Sequence, residues 1–346
     1  MIKSSKSTQE KNKGKDSKVV ASDNTSDQNV EFEKEIRPSR LNDIVGRVNE
    51  KRALKMMINS AMKRKEVVDH ILFYGPPGLG KTTFAMAIAN EIGSSIRITS
   101  GPAIERQGDL AAILTSLKPR DVLFIDEVHR LSRVVEEILY PAMEDRALDI
   151  IMGKGPSAKT IRLSLEPFTL IGATTQIGKI SSPMRDRFGL VQRLDFFEQT
   201  DMEDIIKRAS KLWNIKIEDE ALLRLSQCSR GTARIGLRLL RRVRDYAESK
   251  NRDVVTLEVV ESTLEILGID GEGLEEIDRR ILDLILNSFS GGPVGLSTLA
   301  AAVAEDSSTL AEVHEPYLMK RGFIKRTSRG RVLTEKGIRY ISNLYE

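Results

Sequence analysis

The sequence predicts an α/β fold: a parallel-sheet domain at about residues 36–200, a small helical domain at 201–270 and a winged helix at 271–346. Three observations support this organisation. Short apolar runs separated by helix-length segments are typical of a parallel sheet with crossover helices. Beyond about residue 201 the strand signals give way to helical periodicity. At the end of the chain, three helical segments precede a basic strand pair, which is the element order of a winged helix.

The first domain begins with helix-like apolar spacing over residues 53–61, followed by the strand-like run Ile71 to Tyr74. Similar runs occur at Val122 to Ile125 and Phe168 to Gly172. Residues 148–165 differ, because apolar and polar residues alternate there around a Gly- and Pro-containing turn. We therefore predict a protruding β-hairpin at this place, inserted outside the main sheet.

The remaining two domains are predicted mainly from helical periodicity. The helical domain has predicted helices at Met202–Trp213, Asp219–Cys228, Ala233–Glu248 and Leu257–Leu267. The winged helix has predicted helices at Ile277–Asn287, Ser297–Ala304 and Ser307–Lys320, and a predicted strand pair within Gly322–Thr334.

Composition restricts the class of protein. Of 346 residues, 40% are hydrophobic and 30% are charged, the balance of a globular protein with a heavily charged surface. No apolar run approaches the roughly 20 residues that span a bilayer, and no apolar stretch follows the basic first residues. We therefore expect a cytoplasmic protein. Residues 1–35 are polar, with seven lysines balanced by seven acidic residues, and are expected to form a disordered tail.

Cysteine and histidine usage limits the possible metal chemistry. The single cysteine, Cys228, excludes an internal disulfide, and only three histidines accompany it. A structural zinc site is therefore not expected. The only metal that we expect is one that accompanies a bound nucleotide.

The motif with the highest specificity is Gly75-Pro-Pro-Gly78-Leu-Gly80-Lys81-Thr82, which follows the predicted strand and opens a helix. Its glycines allow backbone N–H groups to turn toward phosphate oxygens, and the helix N-terminus adds partial positive charge. Lys81 is expected to contact the β- and γ-phosphates, and the Thr82 hydroxyl is expected to bind Mg²⁺. We therefore predict a site for ATP and Mg²⁺.

A second motif places Asp126 and Glu127 directly after the apolar run Val122 to Ile125. Ligands of open α/β sheets bind at the carboxyl ends of the strands. We expect Asp126 to orient the Mg²⁺ shell and Glu127 to polarise the attacking water, which indicates hydrolysis as well as binding. The alternative is a solvated acidic pair at the end of a strand.

Three further features have weaker support from spacing alone. Thr174 and Thr175 follow an apolar run, where a hydroxyl can contact the γ-phosphate, although a threonine there can equally be a simple strand cap. Arg185 and Arg187 lie just before the chain leaves the first domain, where an arginine can act as an arginine finger, and a surface ion pair with Asp186 or Asp195 is the alternative. Arg234 lies early in an arginine-rich helix. It could reach back to the nucleotide, or it could belong to a solvated helix face.

The C-terminal strand pair concentrates positive charge. Residues 320–339 contain eight Lys or Arg and one acidic residue, Glu335. Lys325, Arg326, Arg329 and Arg331 flank Gly330 at the expected hairpin tip, where they suit contacts with DNA phosphates or a groove. No aromatic residues are interleaved there, which favours backbone contacts over base stacking. A solubilising wing of a protein-binding winged helix is the alternative.

Over residues 36–346 the chain resembles the RuvB family of bacterial Holliday-junction branch-migration ATPases, which have an AAA+ ATPase domain, a helical lid and a winged helix. The resemblance rests on ordered blocks in all three domains, and it is therefore more specific than any single phosphate-binding motif. Those blocks include GPPGLGKTT, DVLFIDEVHRL, VEEILYPAMED, IMGKGPSAKTIRL, PFTLIGATT, SSPMRDRFG, SRGTARIGLRLLRRVRD and EPYLMKRGFIKRTSRGR.

The resemblance implies a homo-hexameric ring on duplex DNA that works with RuvA and RuvC at a Holliday junction. By position it implies that Arg187 is the arginine finger, that Thr174 and Thr175 form the first nucleotide sensor, and that Arg234 is the second. It further implies a RuvA-docking role for the hairpin at 148–165. The nucleotide-contacting positions implied in this way, together with those of the phosphate-loop motif, are Ile36, Arg37, Gly75, Gly78, Gly80, Lys81, Thr82, Thr83, Glu144, Asp145, Arg146, Thr174, Thr175, Arg187, Phe197 and Arg234.

Four positions depart from the family pattern. Arg146 replaces an aromatic residue, Ala233 replaces the proline before the second sensor, Phe197 lacks the phenolic hydroxyl of the usual tyrosine, and Ser328 replaces a proline in the wing. None of these changes removes a group with an expected catalytic role.

Two other functions compete with a DNA motor. The first is a clamp-loading or protein-remodelling ATPase whose winged helix binds protein, and the basic wing counts against it. The second is a non-enzymatic regulator in which nucleotide only gates binding. The presence of both Glu127 and Arg187 favours turnover over gating, and phosphate release stimulated by DNA would exclude the regulator.

Overall fold

The computed structural model describes residues 36–152 and 159–344. It has two compact units, Met1–Arg37 and Pro38–Glu346. Ile36 and Arg37 are the described part of the first unit, and the predicted tail at 1–35 lies outside the described residues. All elements named below belong to the second unit. Within the described ranges, no helix combines the length and apolar character needed to cross a membrane.

The core of the first domain is a five-stranded parallel sheet with the strand order β2-β3-β6-β1-β7. Its strands are β1 (Ile71–Tyr74), β2 (Ile96–Ser100), β3 (Val122–Asp126), β6 (Thr169–Thr174) and β7 (Leu190–Arg193). The predicted α/β class is thereby confirmed. Because β3, β6 and β1 are neighbours, the residues that follow these three strands meet at one edge of the sheet.

Burial explains which strands could be predicted. The three central strands are almost wholly buried, as continuous apolar runs in a parallel sheet require. The two edge strands, β2 and β7, were not predicted, because their sequences IRITS and LVQR contain polar residues that remain at least partly exposed. β6 also ends two residues later than predicted, so that Thr174 belongs to the strand.

Helices flank the sheet. They are α1 (Val48–Arg64), α2 (Lys81–Ile92), α3 (Gln107–Thr115), α4 (Arg133–Glu144) and α5 (Ser182–Asp186). In α1 the buried face consists of Leu54, Ile58 and Ala61, whereas Met56, which the predicted apolar spacing includes, is 69% exposed. The apolar face of α1 is therefore shifted relative to the predicted one.

The predicted hairpin is present as an antiparallel pair of strands, β4 (Ala147–Met152) and β5 (Lys159–Ser164), that forms its own two-stranded sheet. Its predicted turn falls within residues 153–158, which lie outside the described residues. Near the base of the hairpin, the side chains of Ile161 and Leu163 are exposed.

The helical domain contains four helices, as predicted. They are α6 (Gln199–Leu212), α7 (Asp219–Cys228), α8 (Ala233–Ser249) and α9 (Leu257–Ile266). Two very short strands, β8 (Lys216–Ile217) and β9 (Val254–Val255), form a parallel pair that the sequence did not predict. This lid packs its apolar helix faces together around residues such as Leu225, Leu239 and Val260.

The winged helix has its own apolar core. Its elements are α10 (Glu276–Asp283) with a π-helical extension (Leu284–Ser288), α11 (Leu296–Val303), α12 (Ser307–Thr309), a π-helical turn (Leu310–His314), α13 (Glu315–Lys320), β10 (Ile324–Thr327), β11 (Gly330–Leu333) and α14 (Glu335–Ser342). The predicted third helix, 307–320, is thus interrupted by a π-helical turn, and α14 is a further helix that was not predicted. β10 and β11 form the predicted antiparallel wing.

Candidate nucleotide-binding site

The phosphate-loop motif connects β1 to α2 at the carboxyl edge of the sheet. Gly75 has φ +143°, and a Cβ at this position would lie 2.2 Å from the Leu194 carbonyl oxygen. Gly78 has φ +78° and lies so close to the lid that a Cβ would be 3.0 Å from the Cβ of Arg234. Backbone space and positive φ therefore both require glycine at these two positions.

Gly80 ends the loop, and α2 begins at Lys81, with Thr82 and Thr83 in its first turn. The partial positive charge of the helix N-terminus is thus directed toward the loop. Thr82 and Thr83 are partly exposed. A glycine cradle at the start of a twelve-residue helix fits a bound phosphate group.

Lys81 is buried, and its Nζ donates hydrogen bonds to the carbonyl oxygens of Gly75 at 2.8 Å and Pro76 at 2.9 Å. Burial, together with the nearby charge of Arg234, lowers the pKa of Lys81 to about 8, although the charge of Asp126 acts to raise it. The ammonium group is therefore held by the loop itself, in position to exchange these carbonyl contacts for phosphate oxygens.

Asp126 ends β3, and its Oδ1 accepts a hydrogen bond from the backbone N–H of Glu127 at 2.9 Å. Glu127 has φ +48°, which is uncommon for a residue other than glycine, asparagine or aspartate and is a form of strain typical of functional sites. Its carboxylate pairs with Arg130 at 3.2 Å and is about half exposed. The end of β3 thus carries two adjacent carboxylates. The hydroxyl oxygen of Thr82 and the carboxylate oxygens of Asp126 are donors of the kind that Mg²⁺ prefers.

Thr174 lies at the end of β6, between the strands that carry the phosphate loop and the acidic pair. Its Oγ1 is 3.0 Å from Nδ1 of His129 and accepts a hydrogen bond from the backbone N–H of Gln176 at 2.9 Å. Burial lowers the pKa of His129, which favours the neutral imidazole as a partner for the hydroxyl. The first predicted sensor threonine therefore has a fixed orientation.

The second threonine of this pair has a partner from another domain. Thr175 Oγ1 donates a hydrogen bond of 2.8 Å to Oε2 of Glu312, and Gln176 Nε2 donates to Oε1 of the same carboxylate. Glu312 belongs to the π-helical turn of the winged helix. The carboxyl edge of the sheet is thus in direct contact with the C-terminal domain.

The lid approaches the phosphate loop through Arg234, near the start of α8. Its backbone N and Cβ lie against Gly78, and its charge is close enough to lower the pKa of Lys81. Arg234 thus lies beside the phosphate loop, and its contact with the nucleotide remains a prediction. Ala233, where the resemblance leads one to expect proline, is the first residue of α8.

Phe197 lies at the junction between the sheet domain and the lid, and it is buried. Its backbone N–H donates to Gly231 at 2.8 Å, and the Arg47 guanidinium stacks over its ring, 4.3 Å from the centroid. The ring thus supports the lid junction without a phenolic hydroxyl.

The contacts of Arg187 are with two helices of the first domain rather than with the phosphate loop. Arg187 donates hydrogen bonds to the Pro183 carbonyl at 2.7 Å and to Glu144 at 3.0 Å, and it stacks 4.5 Å from the centre of the Tyr140 ring. These partners belong to α4 and α5. The next residues, Asp145 and Arg146, are exposed, and Asp145 pairs with Arg162 of the hairpin at 2.6 Å.

The predicted site residues therefore form two groups. The first surrounds the phosphate loop and includes the strand ends, Arg234 and the lid junction. The second comprises Glu144, Asp145, Arg146 and Arg187, at or just beyond the C-terminal ends of α4 and α5. Ile36 and Arg37 belong to the other compact unit, and their predicted contact with the adenine remains a prediction.

The wing arginines differ from one another. Arg329 is exposed at the hairpin tip, and Arg326 is about half exposed. The Arg331 side chain is only 12% exposed, and both it and Arg326 donate to the buried Glu315 with distances of 2.8–3.0 Å. Arg331 is thus engaged in holding the wing to α13, whereas Arg329 is presented to solvent.

Replacing Arg329 by alanine is expected to weaken DNA binding more than it changes folding. Loss of one phosphate contact reduces the slope of log K against log salt by about one. Fluorescence anisotropy with duplex DNA at several salt concentrations measures this slope, and Lys336→Ala, on the helix after the wing, is the control. An unchanged slope would remove Arg329 from the DNA interface.

Glu315 is expected to stabilise the winged helix in a pH-dependent manner. Burial acts to raise the pKa of Glu315, but the hydrogen bonds and charges of Arg326 and Arg331 outweigh it, so the pKa lies below its ordinary value. The stabilisation is present above the unfolded pKa of about 4.5 and is lost as pH falls through the folded value.

We expect Glu315→Gln to lower the melting temperature at pH 7 and to reduce the difference between the melts at pH 7 and pH 4. Thermal denaturation followed by circular dichroism measures both, and Glu335→Gln, at an 89% exposed site, is the control. Equal pH dependence in the two variants would contradict this assignment.

Two residues of the site were not predicted. His129 follows the acidic pair by two positions, so its place near the strand end was available as a local signal. Glu312 is 137 positions away from Thr175, and only the packing of two domains brings them together.

Comparison with known families covers nearly the whole chain. The model described as "Holliday junction DNA helicase RuvB P-loop domain" matches residues 36–194. The "RuvB AAA lid domain" matches 197–270, and the "RuvB C-terminal winged helix domain" matches 271–342.

Individual relatives agree with these matches. The chain is 51% identical over 315 residues to a "Holliday junction branch migration complex subunit RuvB" from Fusobacterium nucleatum, with coverage of 91% of this chain and 95% of the relative. It is 54% identical over 306 residues to a protein of the same name from Kosmotoga olearia, with coverage of 88% and 90%. A solved structure described as the Thermotoga maritima RuvB Holliday junction branch migration motor is 47% identical and superposes with a TM-score of 0.81, over 89% of this chain and 98% of that one.

Proposed function

This chain belongs to the RuvB family, and on that premise we propose that it is an ATP-hydrolysing motor that drives branch migration of Holliday junctions in recombination and repair. The observation that carries the proposal is the convergence of the phosphate loop, the acidic pair and the threonine pair on the carboxyl ends of three adjacent strands. The basic wing belongs to the same compact unit. This arrangement supports coupling of hydrolysis to DNA.

Each residue of the site has a physical role in the proposal. The glycine cradle and Lys81 bind the phosphates, and Glu127 accepts a proton from the attacking water. Thr174, oriented by His129, donates or accepts a hydrogen bond at the γ-phosphate edge. Thr82 and Asp126 would hold Mg²⁺, which when bound neutralises charge on the phosphate oxygens. Arg234 closes the lid over the phosphate loop.

The second group of residues supports an oligomer. The contacts of Arg187 in its own chain are with α4 and α5 rather than with the phosphate loop, so we propose that it completes the site of a neighbouring subunit in a homo-hexameric ring. Glu144, Asp145 and Arg146 lie beside it and would face the same nucleotide. A guanidinium from a neighbour ties hydrolysis to assembly.

Partner binding is proposed from two surfaces. The β4–β5 hairpin exposes Ile161 and Leu163 on a two-stranded projection, which suits docking of an apolar surface of RuvA. The wing with Arg326 and Arg329 would bind duplex DNA phosphates. RuvC would act on the same junction, in the cytoplasm.

The test combines ATP hydrolysis with junction migration. The purified chain is assayed for phosphate release with and without duplex DNA and RuvA, and for migration of a synthetic four-way junction. We expect migration that requires both ATP and RuvA, with Lys81→Ala as the inactive control. DNA-independent hydrolysis without junction movement would contradict the motor and would favour a protein-remodelling ATPase.

A further inference from the structure

The contact between Glu312 and the sheet edge connects the winged helix, which is proposed to bind DNA, to the proposed ATP site. Glu312 lies on the winged helix, and its carboxylate accepts hydrogen bonds from Thr175 and Gln176, immediately after β6. These donors lie at the strand edge where the γ-phosphate is expected. A carboxylate at this place is notable because it brings negative charge toward a site that must receive a phosphate.

Electrostatics supports the same proximity. The charge of Glu312 acts to raise the pKa values of both Lys81 in the phosphate loop and His129 beside Thr174. The carboxylate therefore lies near Lys81 and His129, at the edge of the sheet where the nucleotide phosphates are proposed to bind. Asp126 and Glu127 are the other acidic groups whose charges act to raise the pKa of Lys81.

Glu312 lies on a helical segment whose neighbouring residues contact other parts of the chain. Glu312 lies in the π-helical turn Leu310–His314, a helical irregularity that is frequently found at functional sites. Two residues later, His314 Nδ1 lies 2.7 Å from buried Asp278, which also pairs with Arg230 of the lid. One residue further, Glu315 holds Arg326 and Arg331 of the wing. The nearby positions 312, 314 and 315 thus contact, in turn, the ATPase edge, a buried carboxylate of the winged helix that is itself paired with the lid, and the basic wing.

We propose that Glu312 is a latch that senses the γ-phosphate: it holds the winged helix against the sheet edge when the γ-phosphate is absent and is displaced when ATP binds. This inference rests on the nucleotide site proposed above. The γ-phosphate and the carboxylate have the same sign of charge and compete for the same hydroxyl and amide donors. Binding of ATP therefore favours a state in which Glu312 has left Thr175, whereas ADP, which lacks that phosphate, leaves the latch closed.

Displacement of Glu312 is expected to change the position of the wing. Because Glu315 follows on the same helix, movement of the helix shifts the carboxylate that orients Arg326 and Arg331. The position of the wing would then differ between the ATP and ADP states. Glu312 is thus a positioning residue, and no chemical step passes through it.

The binding test compares nucleotides that differ by the γ-phosphate. Titration with fluorescent ADP, and competition with a non-hydrolysable ATP analogue, are carried out on the full chain and on Glu312→Gln and Glu312→Ala. Removing the carboxylate removes the competition, so we expect the analogue to bind about tenfold more tightly while the affinity for ADP changes less than about twofold. Glu335→Gln, another glutamate of the winged helix that pairs with Arg339, is the matched control.

The movement is measured by a distance between spin labels. Cys228 is buried, and burial raises the pKa of its thiol to about 11, so labels attach to introduced cysteines. Gly108→Cys, where a Cβ meets open space, and Ser328→Cys at the exposed wing turn provide the pair. We expect the ATP analogue to shift the distance distribution of the otherwise unmodified chain, and Glu312→Ala to have the shifted distribution with ADP as well.

The outcomes separate the two proposals. If the unmodified chain binds neither nucleotide, the proposed ATP site fails. If it binds both, but Glu312 variants change both affinities equally or leave the label distances identical to those of the unmodified chain, the latch is overturned while the ATP site stands. Glu312→Gln keeps the size of the side chain and an acceptor for Thr175, so it tests charge without relying on the alanine variant.

Discussion

Replacing Lys81 by alanine is expected to reduce the affinity for ATP by at least about 100-fold, because the charged hydrogen bonds to the phosphates are lost from a buried position. Isothermal titration with ATP measures this change. Lys63→Ala, at an exposed position of α1, is the control and should bind normally. Retained affinity in Lys81→Ala would mean that the loop does not hold the phosphates.

The buried position of Lys81 gives this prediction a pH dependence. Because its pKa is lowered to about 8, the lysine loses its proton in the nucleotide-free chain as pH rises through that value. Binding of phosphate favours the protonated form. Affinity should therefore be constant below about pH 7 and fall by up to tenfold per unit above about pH 8. Lys81→Ala should not show this dependence, and a flat profile in the unmodified chain would contradict it.

Replacing Arg187 by alanine is expected to lower the rate of ATP hydrolysis by about 1000-fold with little change in ATP affinity, because the guanidinium stabilises charge that develops in the transition state. Steady-state phosphate release and nucleotide titration separate these effects. Arg185→Ala, two positions earlier on α5, is the matched control.

A mixing experiment distinguishes a finger that acts between subunits from local damage. Arg187→Ala subunits have an intact phosphate loop and Glu127, and Glu127→Gln subunits have an intact Arg187. Mixed rings contain sites in which both parts are intact, so hydrolysis should return partially although each variant alone is inactive. No recovery at any ratio would contradict the assignment of Arg187 to a neighbour's site. Loss of the contacts to Glu144 and Tyr140 would instead lower the melting temperature of Arg187→Ala.

Buried ion pairs connect the lid to the winged helix and hold the wing in place. Arg230 with Asp278 joins the lid to the winged helix, and Glu315 with Arg331 holds the wing. Breaking one member of such a pair leaves an uncompensated buried charge, which is strongly destabilising. The first pair therefore helps to join two domains and the second holds the wing within its own domain, and both are better tested by stability than by activity.

Much of the fold could be predicted from local patterns. Continuous apolar runs identified the central strands of the sheet, because a strand buried on both faces must be apolar throughout. The edge strands β2 and β7 were missed for the same reason, since their exposed positions carry polar residues. Helix α14 was not predicted because its eight residues, EKGIRYIS, give only a short periodic signal.

The phosphate loop and the acidic pair were also predictable, because each depends on a few consecutive residues whose backbone and charge requirements are local. The strand order that brings β3, β6 and β1 together, by contrast, follows from packing of the whole sheet. The same holds for Arg234 against Gly78 and for Glu312 against Thr175, which join residues 156 and 137 positions apart. Side-chain spacing carries no information about such pairs, because they form only when separate domains pack against each other. Only the folded chain decides that a carboxylate of the winged helix lies at the ATPase edge.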